Sequence, residues 1–352
     1  MISPFAITGT PVITRPDEFA FTDGERSATA TQNWLQHNQY AINKEQMVDL
    51  ADQIVKSLTP VTVPATDWVA SAYAREIATW CVIGSDPTDQ IMTSTDGGVT
   101  WTVTDTGASV NDWKSICWAN TLGLFVAVAD GAGTARVITS PDGATWTQRT
   151  DSATNTWKSI CWSEDLGLLV AVAAAGTNRC MTSPDGITWT GRAIPAKAYH
   201  TVLWSARDQL FVAGATDSTV VVYTSSDGIT WTGRGEAATG TAKLAYLATQ
   251  GVYVAYKGAI VEYWISHDGR HWGARDPMGI AIDSIHPCEW LECFVMGIVD
   301  TDYYIYTTQD FLTYTQHSLA AVITGAPILA FNSDTQQIAW FDTGAAYGEL
   351  SF

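Results

Sequence analysis

One short pattern recurs along this chain at nearly constant spacing, and it constrains the fold more than any other feature. It reads Ser94-Thr-Asp96-Gly-Gly-Val-Thr-Trp101, Ser140-Pro-Asp142-Gly-Ala-Thr-Trp146, Ser183-Pro-Asp185-Gly-Ile-Thr-Trp189, Ser225-Ser-Asp227-Gly-Ile-Thr-Trp231 and Ser266-His-Asp268-Gly-Arg-His-Trp272, with a worn copy at Thr308-Gln-Asp310-Phe-Leu-Thr-Tyr314. The closing aromatics step by 45, 43, 42, 41 and 42 residues, the length of one four-stranded sheet with its turns. A second aromatic column, Tyr73, Trp118, Trp162, Trp204, Tyr246, Trp290 and Phe331, steps by 45, 44, 42, 42, 44 and 41. It has one member more than the turn motif, so the last repeat, from about Val322 to Phe352, lacks its fourth strand.

Within one repeat the runs Ser115-Ile-Cys-Trp118, Leu124-Phe-Val-Ala-Val128, Arg136-Val-Ile-Thr139 and Trp146-Thr-Gln-Arg149 are separated by Gly, Asn and Asp. Short β-rich runs punctuated in this way read as four antiparallel strands. A single sheet of this size cannot bury both faces, whereas sheets packed radially hide each other's apolar sides. The expected fold is therefore an all-β, seven-bladed β-propeller of four-stranded antiparallel blades. Val61-Thr-Val63 stands before Trp68 much as Trp101-Thr-Val103 stands before Trp113, which makes it the expected donor of the missing strand. The propeller then spans 61–352, and 1–60 forms a separate N-terminal piece.

In the repeated turn the serine hydroxyl and aspartate carboxylate can accept backbone N–H groups, the glycine takes positive φ, and the tryptophan packs between sheets. The expectation is structural for Asp96, Trp101, Asp142, Trp146, Asp185, Trp189, Asp227, Trp231, Asp268 and Trp272. At these residues the chain resembles the Asp-box, or bacterial neuraminidase repeat, propellers, which include sialidases, sortilin-like receptors and phage tail proteins. The resemblance covers about Trp68 to Phe352. It implies that the Asp turns lie between third and fourth strands, on the face opposite any binding site.

Composition narrows the partners. Thirty-six acidic against 18 basic residues leave a net charge of -18, which repels phosphate backbones, and no basic stripe counters it, so no nucleic-acid partner is expected. No apolar run is long enough to span a membrane, and Met1 to Thr14 lacks the basic start and apolar centre of a signal peptide. The cysteines Cys81, Cys117, Cys161, Cys180, Cys288 and Cys293 show no zinc-type spacing, and four stand where other repeats carry Val, Ala or Leu. Buried, reduced thiols are expected, with no metal and no cofactor.

Catalytic signatures are weak. Arg149, Arg192, Arg234 and Arg275 each follow the motif aromatic by three residues, so they sit on equivalent outer strands and cannot converge as a sialidase arginine clamp must. The histidines are scattered, and no nucleophile elbow, phosphate loop or zinc-helix motif occurs. No catalytic residue is assigned, although two distant carboxylates could still serve a glycan hydrolase.

The N-terminal piece carries Pro4, Gly9, Pro11 and Pro16 and reads as an extended arm. Thr29 with Gln32 then forms a capping-box pattern, apolar residues from Trp34 to Leu58 follow helical spacing, and Pro60 stops the expected α-helix. Arm and helix resemble the virion-proximal end of phage tail-fibre proteins. Together the two resemblances imply a bacteriophage tail-fibre or tail-tip protein carried on the virion and assembled in the host cytoplasm. It would dock on tail or baseplate proteins through 1–60, form a homotrimer, and meet a host glycan or protein receptor through its propeller. The alternatives are a tailspike-type hydrolase and a purely structural tail component. The expected binding residues are Trp68, Trp113, Trp157 and Tyr199, an aromatic column that equally suits packing between blades, with Asp130, Arg136, Asn178 and Arg179.

Overall fold

The computed structural model describes residues 12–15, 18–22, 27–30, 59–62, 68–85, 91–98, 100–104, 112–131, 135–217, 222–234, 240–241, 243–256, 263–275, 284–289, 292–298, 304–308, 311, 314–318, 328–332, 337–341 and 346–351. The chain divides into two units, Met1–Ile54 and Val55–Phe352.

In the second unit, the repeat is realised as blades of four antiparallel strands joined in sequence order. Blade 1 consists of Trp68–Ala74, Thr79–Gly84, Ile91–Ser94 and Thr102–Thr104. Blade 2 runs from its inner strand Trp113–Ala119 to its outer strand Thr147–Arg149, blade 3 from Trp157–Ser163 to Thr190–Arg192, and blade 4 from Ala198–Ser205 to Thr232–Arg234. Blade 5 runs from Lys243–Leu247 to Gly273–Arg275 and blade 6 from Ser284–Cys288 to Thr315–Ser318.

The expectation of a seven-bladed propeller is corrected: among the described residues the blades, each built from one unbroken run of four consecutive strands, number six, not seven. The remaining sheet is a composite. Ile328–Asn332, Gln337–Phe341 and Ala346–Ser351 run out of chain after three strands, and Thr59–Thr62 pairs along the last of them, Tyr347 opposite Val61 and Glu349 opposite Thr59. The donated strand thus begins two residues before the expected Val61, and Val63 lies outside the described residues. Inner strands of successive blades lie side by side, and Ile328–Asn332 lies beside those of blades 6 and 1.

The N-terminal expectations also change. Val12–Arg15, Glu18–Thr22 and Ser27–Ala30 form a three-stranded antiparallel sheet instead of an extended arm. Thr29, read as a helix cap, is paired with Ala20 in that sheet, because alternating β-type residues here favour a ladder over a helix start. The body of the expected α-helix lies outside the described residues. Among those described, the only helical turns are 3-10 turns such as Arg75–Ile77 and Asn120–Leu122.

Radial packing explains the burial. The second and third strands of blade 2, Leu124–Ala129 and Val137–Ser140, are buried on both sides apart from Leu124, whereas its outer strand is mostly exposed. Strands covered on both faces read as continuous apolar runs. Trp113 joins Phe125, Ala127 and Ile138 to residues of blade 1, and Trp157 joins Leu169 and Met181 to Val126 and Val137 of blade 2. Each ring is fully buried, a contribution of roughly 1.5–3 kcal/mol apiece.

One column needs a second correction. Cys288 pairs with Cys293 as Leu247 pairs with Val252, so Pro287, not Trp290, is the counterpart of Tyr246. Trp290 lies outside the described residues.

Candidate functional site

Two faces of the propeller differ in how the chain is held. One face carries the turns between first and second strands and between third and fourth strands, the latter being the Asp turns. In blade 2, Ser140 Oγ donates to Asp142 Oδ1 at 2.9 Å and accepts the Gly143 N–H at 2.8 Å. Asp142 Oδ1 also accepts the N–H groups of Ala144 and Thr145 at 2.9 and 2.7 Å, and Trp146 Nε1 donates to the Gly143 carbonyl at 2.8 Å. The same scheme recurs around Asp185 and Asp268, with Trp189 and Trp272 closing onto Gly186 and Gly269. Asp227 accepts from Ile229 and Thr230, while Trp231 packs at the edge of the cluster around Val170 and Tyr199. The first turn has one residue more, so Asp96 reaches the N–H of Thr100 and Trp101 closes onto Gly98.

These bonds set the charge. Burial alone raises the Asp142 carboxyl, but the Thr145 and Ala144 N–H groups and the Ser140 hydroxyl outweigh it and hold it below its usual value. At Asp185 the Thr188 N–H is the largest influence and acts in the same direction. The turns of blades 2 to 5 also wedge against the preceding blade: in blade 2, Thr93 Oγ1 donates to the Gly143 carbonyl at 2.7 Å, and a Cβ at Gly143 would lie 2.5 Å from Cys81 Sγ. The turns are therefore joints between blades.

A second set of joints is made by the second aromatic column. Trp118, Trp162 and Trp204 donate their indole N–H to Glu76, Asn120 and Asp165 in the first turn of the preceding blade, at 2.7, 2.9 and 3.1 Å. On the outer strands, Arg149, Arg192 and Arg234 each donate Nε to a threonine of the third strand, Thr139, Thr182 and Thr224. That pairing keeps them on the periphery. The side chain of Arg275 lies outside the described residues.

The opposite face is formed by loops between second and third strands and by connections between blades, and its described residues lie mainly in blades 2 to 4. Lys158 donates to Asp130 across the gap between blades 3 and 2, and Lys114 pairs with Asp112 at 2.6 Å. Ser115 and Ser159, next to these lysines, accept the N–H groups of Ile160 and Val202 on the following inner strand at 3.2 and 3.0 Å. His200 occupies the lysine position in blade 4. Burial, then Lys158 and Lys243, push it below its usual value against the pull of Asp130.

The expected binding residues fall into two groups. Trp68 is 4% exposed, while Trp113, Trp157 and Tyr199 are fully buried, so in this conformation these rings fill the spaces between blades. Trp157 Nε1 also donates to Asp151 at 3.2 Å, and Tyr199 donates to the Pro195 carbonyl at 2.9 Å. Asp130, Arg136, Asn178 and Arg179 all stand on the loop face. Arg136 and Arg179 donate Nε to Gly131 and Gly176 of their own loops, and Arg136 additionally lies 3.8 Å from Asp151. Asn155, which sequence reasoning missed, donates its side-chain amide to the Asn178 carbonyl and ties two loops of blade 3 together. Asn178 itself is exposed.

All six cysteines are free thiols. Burial pushes Cys81, Cys117 and Cys180 up to about 12 and Cys161 well above its ordinary value, which leaves them unreactive as nucleophiles. Among the described residues no three His, Cys, Asp or Glu side chains gather as metal ligands.

No protein-family model matches the chain, and no curated protein matches it in sequence. Solved structures do match. YCF48 bound to a D1 peptide superposes with a TM-score of 0.64 at 12% identity, over 84% of this chain and 95% of its own. YCF48 from Cyanidioschyzon merolae gives 0.60 at 10%, over 84% and 98%. Selenomethionine-substituted virginiamycin B lyase from Staphylococcus aureus gives 0.70 at 8%, over 84% and 99%. A peptide-bound protein and a lyase share this architecture, so the likeness speaks of fold and not of chemistry. What these matches and the blade topology establish together is that the chain is a β-propeller of four-stranded antiparallel blades.

Proposed function

We propose that this chain is an Asp-box propeller serving as a receptor-binding component of a bacteriophage tail, at the tail fibre or tail tip. Residues 1–60 attach it to other tail or baseplate proteins and assemble it as a homotrimer, and the loop face meets a glycan or protein on the host surface. The observation that carries this reading is the contrast between the two faces. Repeated hydrogen bonds hold the turn face alike from blade to blade, whereas the described residues of the loop face add pairs with no counterpart between blades 2 and 3: Lys158 with Asp130, Arg136 with Asp151, and Asn155 with Asn178. Variable loops on a rigid scaffold are the usual construction of a recognition surface. The peptide held by YCF48 supports the same use of this fold.

Adsorption competition tests the reading. Full-length protein should adhere to host cells and lower adsorption of the virus that encodes it, and antibody against it should label the tail. Absence of the chain from purified virions, or lack of adhesion, overturns the reading. Release of reducing ends from host polysaccharide would move the assignment to a tailspike-type hydrolase.

A further inference from the structure

The turn face holds an apolar surface that the fold does not require. Among the described residues the exposed large hydrophobics are Ile77, Val103, Leu166, Ile187 and Ile229, and all but Val103 stand on this face. Ile77 and Leu166 occupy one position, immediately before the left-handed residues Ala78 and Gly167 that turn first strand into second, and half-buried Leu122 holds it in blade 2. Ile187 and Ile229 follow the glycine of the Asp turn in blades 3 and 4. Blades 2 and 5 carry Ala144 and Arg270 there, and their turns keep the same hydrogen bonds, so closure of the turn does not depend on an aliphatic side chain.

Backbone placement brings these residues to neighbouring turns. A Cβ at Gly186 would lie 3.5 Å from Leu124, two residues beyond Leu122, so the turn that carries Ile187 lies beside blade 2. A Cβ at Gly228 would lie 3.1 Å from Leu168, two residues beyond Leu166, so the turn that carries Ile229 lies beside blade 3. Leu166, Ile187 and Ile229 thus stand exposed on adjoining turns of blades 3 and 4, with half-buried Leu122 next to them in blade 2. Exposed aliphatic groups that adjoin one another mark interaction surfaces more often than single ones.

Charge selects the occupant. Among the described residues this face carries Glu76, Glu164, Asp165, Asp208, Glu289 and Glu292 in its first turns and five aspartates in the Asp turns, against three arginines, Arg75, Arg207 and Arg270. A second copy presenting the same face would meet like charge, and a neutral apolar segment would gain nothing from the net negative charge around the aliphatic groups. We infer that the turn face of blades 1 to 4 docks a polypeptide segment that alternates aliphatic side chains with lysine or arginine. This docking is independent of receptor binding at the opposite face and stands even if that reading falls.

The test uses the full chain and a synthetic amphipathic helix of leucine and lysine, with a scrambled peptide of the same composition and a lysine-only peptide as controls. Fluorescence anisotropy should show the amphipathic peptide binding best. The triple variant Leu166→Ser, Ile187→Ser, Ile229→Ser should weaken it about tenfold or more, with the far-ultraviolet spectrum and unfolding midpoint kept because the sites are exposed. The charge reversal Glu164→Lys should weaken it too, and hydrogen exchange should slow at 75–78, 164–167 and 185–189. Equal binding of the lysine-only peptide, indifference to the triple variant, or protection confined to the loop face overturns the proposal. Concentration-dependent self-association abolished by the triple variant would assign the surface to a second copy and overturn it as well.

Discussion

Trp162, at the end of the inner strand of blade 3, donates its indole N–H to Asn120 Oδ1 of blade 2 at 2.9 Å. The bond spans 42 residues of sequence but only the gap between neighbouring blades. Trp162→Phe keeps the ring and removes the donor, so it should cost about 1 kcal/mol, the net worth of one intramolecular hydrogen bond. Asn120→Ala should cost a similar amount. Denaturant unfolding of both single variants and the double variant checks this, because a true bond makes the double loss smaller than the sum of the two.

Two glycines separate backbone strain from the wedge between blades. Gly123 has φ of 62° with nothing within 4 Å of the place a Cβ would take, whereas Gly143 has φ of 75° and Cys81 Sγ at 2.5 Å from that place. Gly123→Ala should destabilise by about 1 kcal/mol through its left-handed conformation alone. Gly143→Ala should cost clearly more, and Cys81→Ala in the same chain should recover part of the excess. Equal losses at the two sites would show that the turn does not bear on blade 1.

The Asp turns predict a direction for acid sensitivity. Asp96, Asp142, Asp185, Asp227 and Asp268 all stand below their ordinary value of 3.8 in the folded protein. As pH falls, the unfolded chain takes up protons at these groups first, so their stabilisation is complete above the unfolded value and is lost as pH drops through the folded values. Unfolding midpoints should decline below about pH 4. Asp185→Asn should be less stable at neutral pH and show a shallower decline.

His200 reports the charges at the loop face. Burial is the largest influence lowering it, followed by Lys158 and Lys243, while Asp130 acts the other way. In NMR titration Lys158→Ala should move its midpoint up towards 6.5, and Asp130→Asn should move it further down. A midpoint indifferent to both changes would show that these side chains are not neighbours in solution.

Thiol chemistry offers a further check. With Cys81, Cys117 and Cys180 pushed up to about 12 and Cys161 well above its usual value, these four should resist a thiolate-specific reagent at pH 8 in the native protein and react on unfolding. Rapid native labelling of Cys81 or Cys180, the two of these that are fully buried, would contradict this packing.

Much of the blade was legible in the chain itself. The Ser-Asp-Gly-Trp pattern specifies its turn because all its partners lie within a few residues, as Ser140, Asp142, Gly143 and Trp146 show. The apolar runs of the second strands announced burial on both sides, and the position of Arg149, Arg192 and Arg234 already placed them away from the axis. Tertiary structure decided the rest, because it turns on distance in space and not along the chain. It replaced Trp290 by Pro287 in the inner column, since pairing with Cys293 sets the register and a count of residues cannot see a shifted turn. The donor of the closing sheet was legible in Val61-Thr-Val63, but its pairing from Thr59 was set in space, and the fold put Thr29 in a ladder with Ala20 where local spacing favoured a helix. Local bonding is written residue by residue, whereas which buried face meets which neighbour, and which aliphatic side chains are left exposed, is settled only when the blades close upon one another.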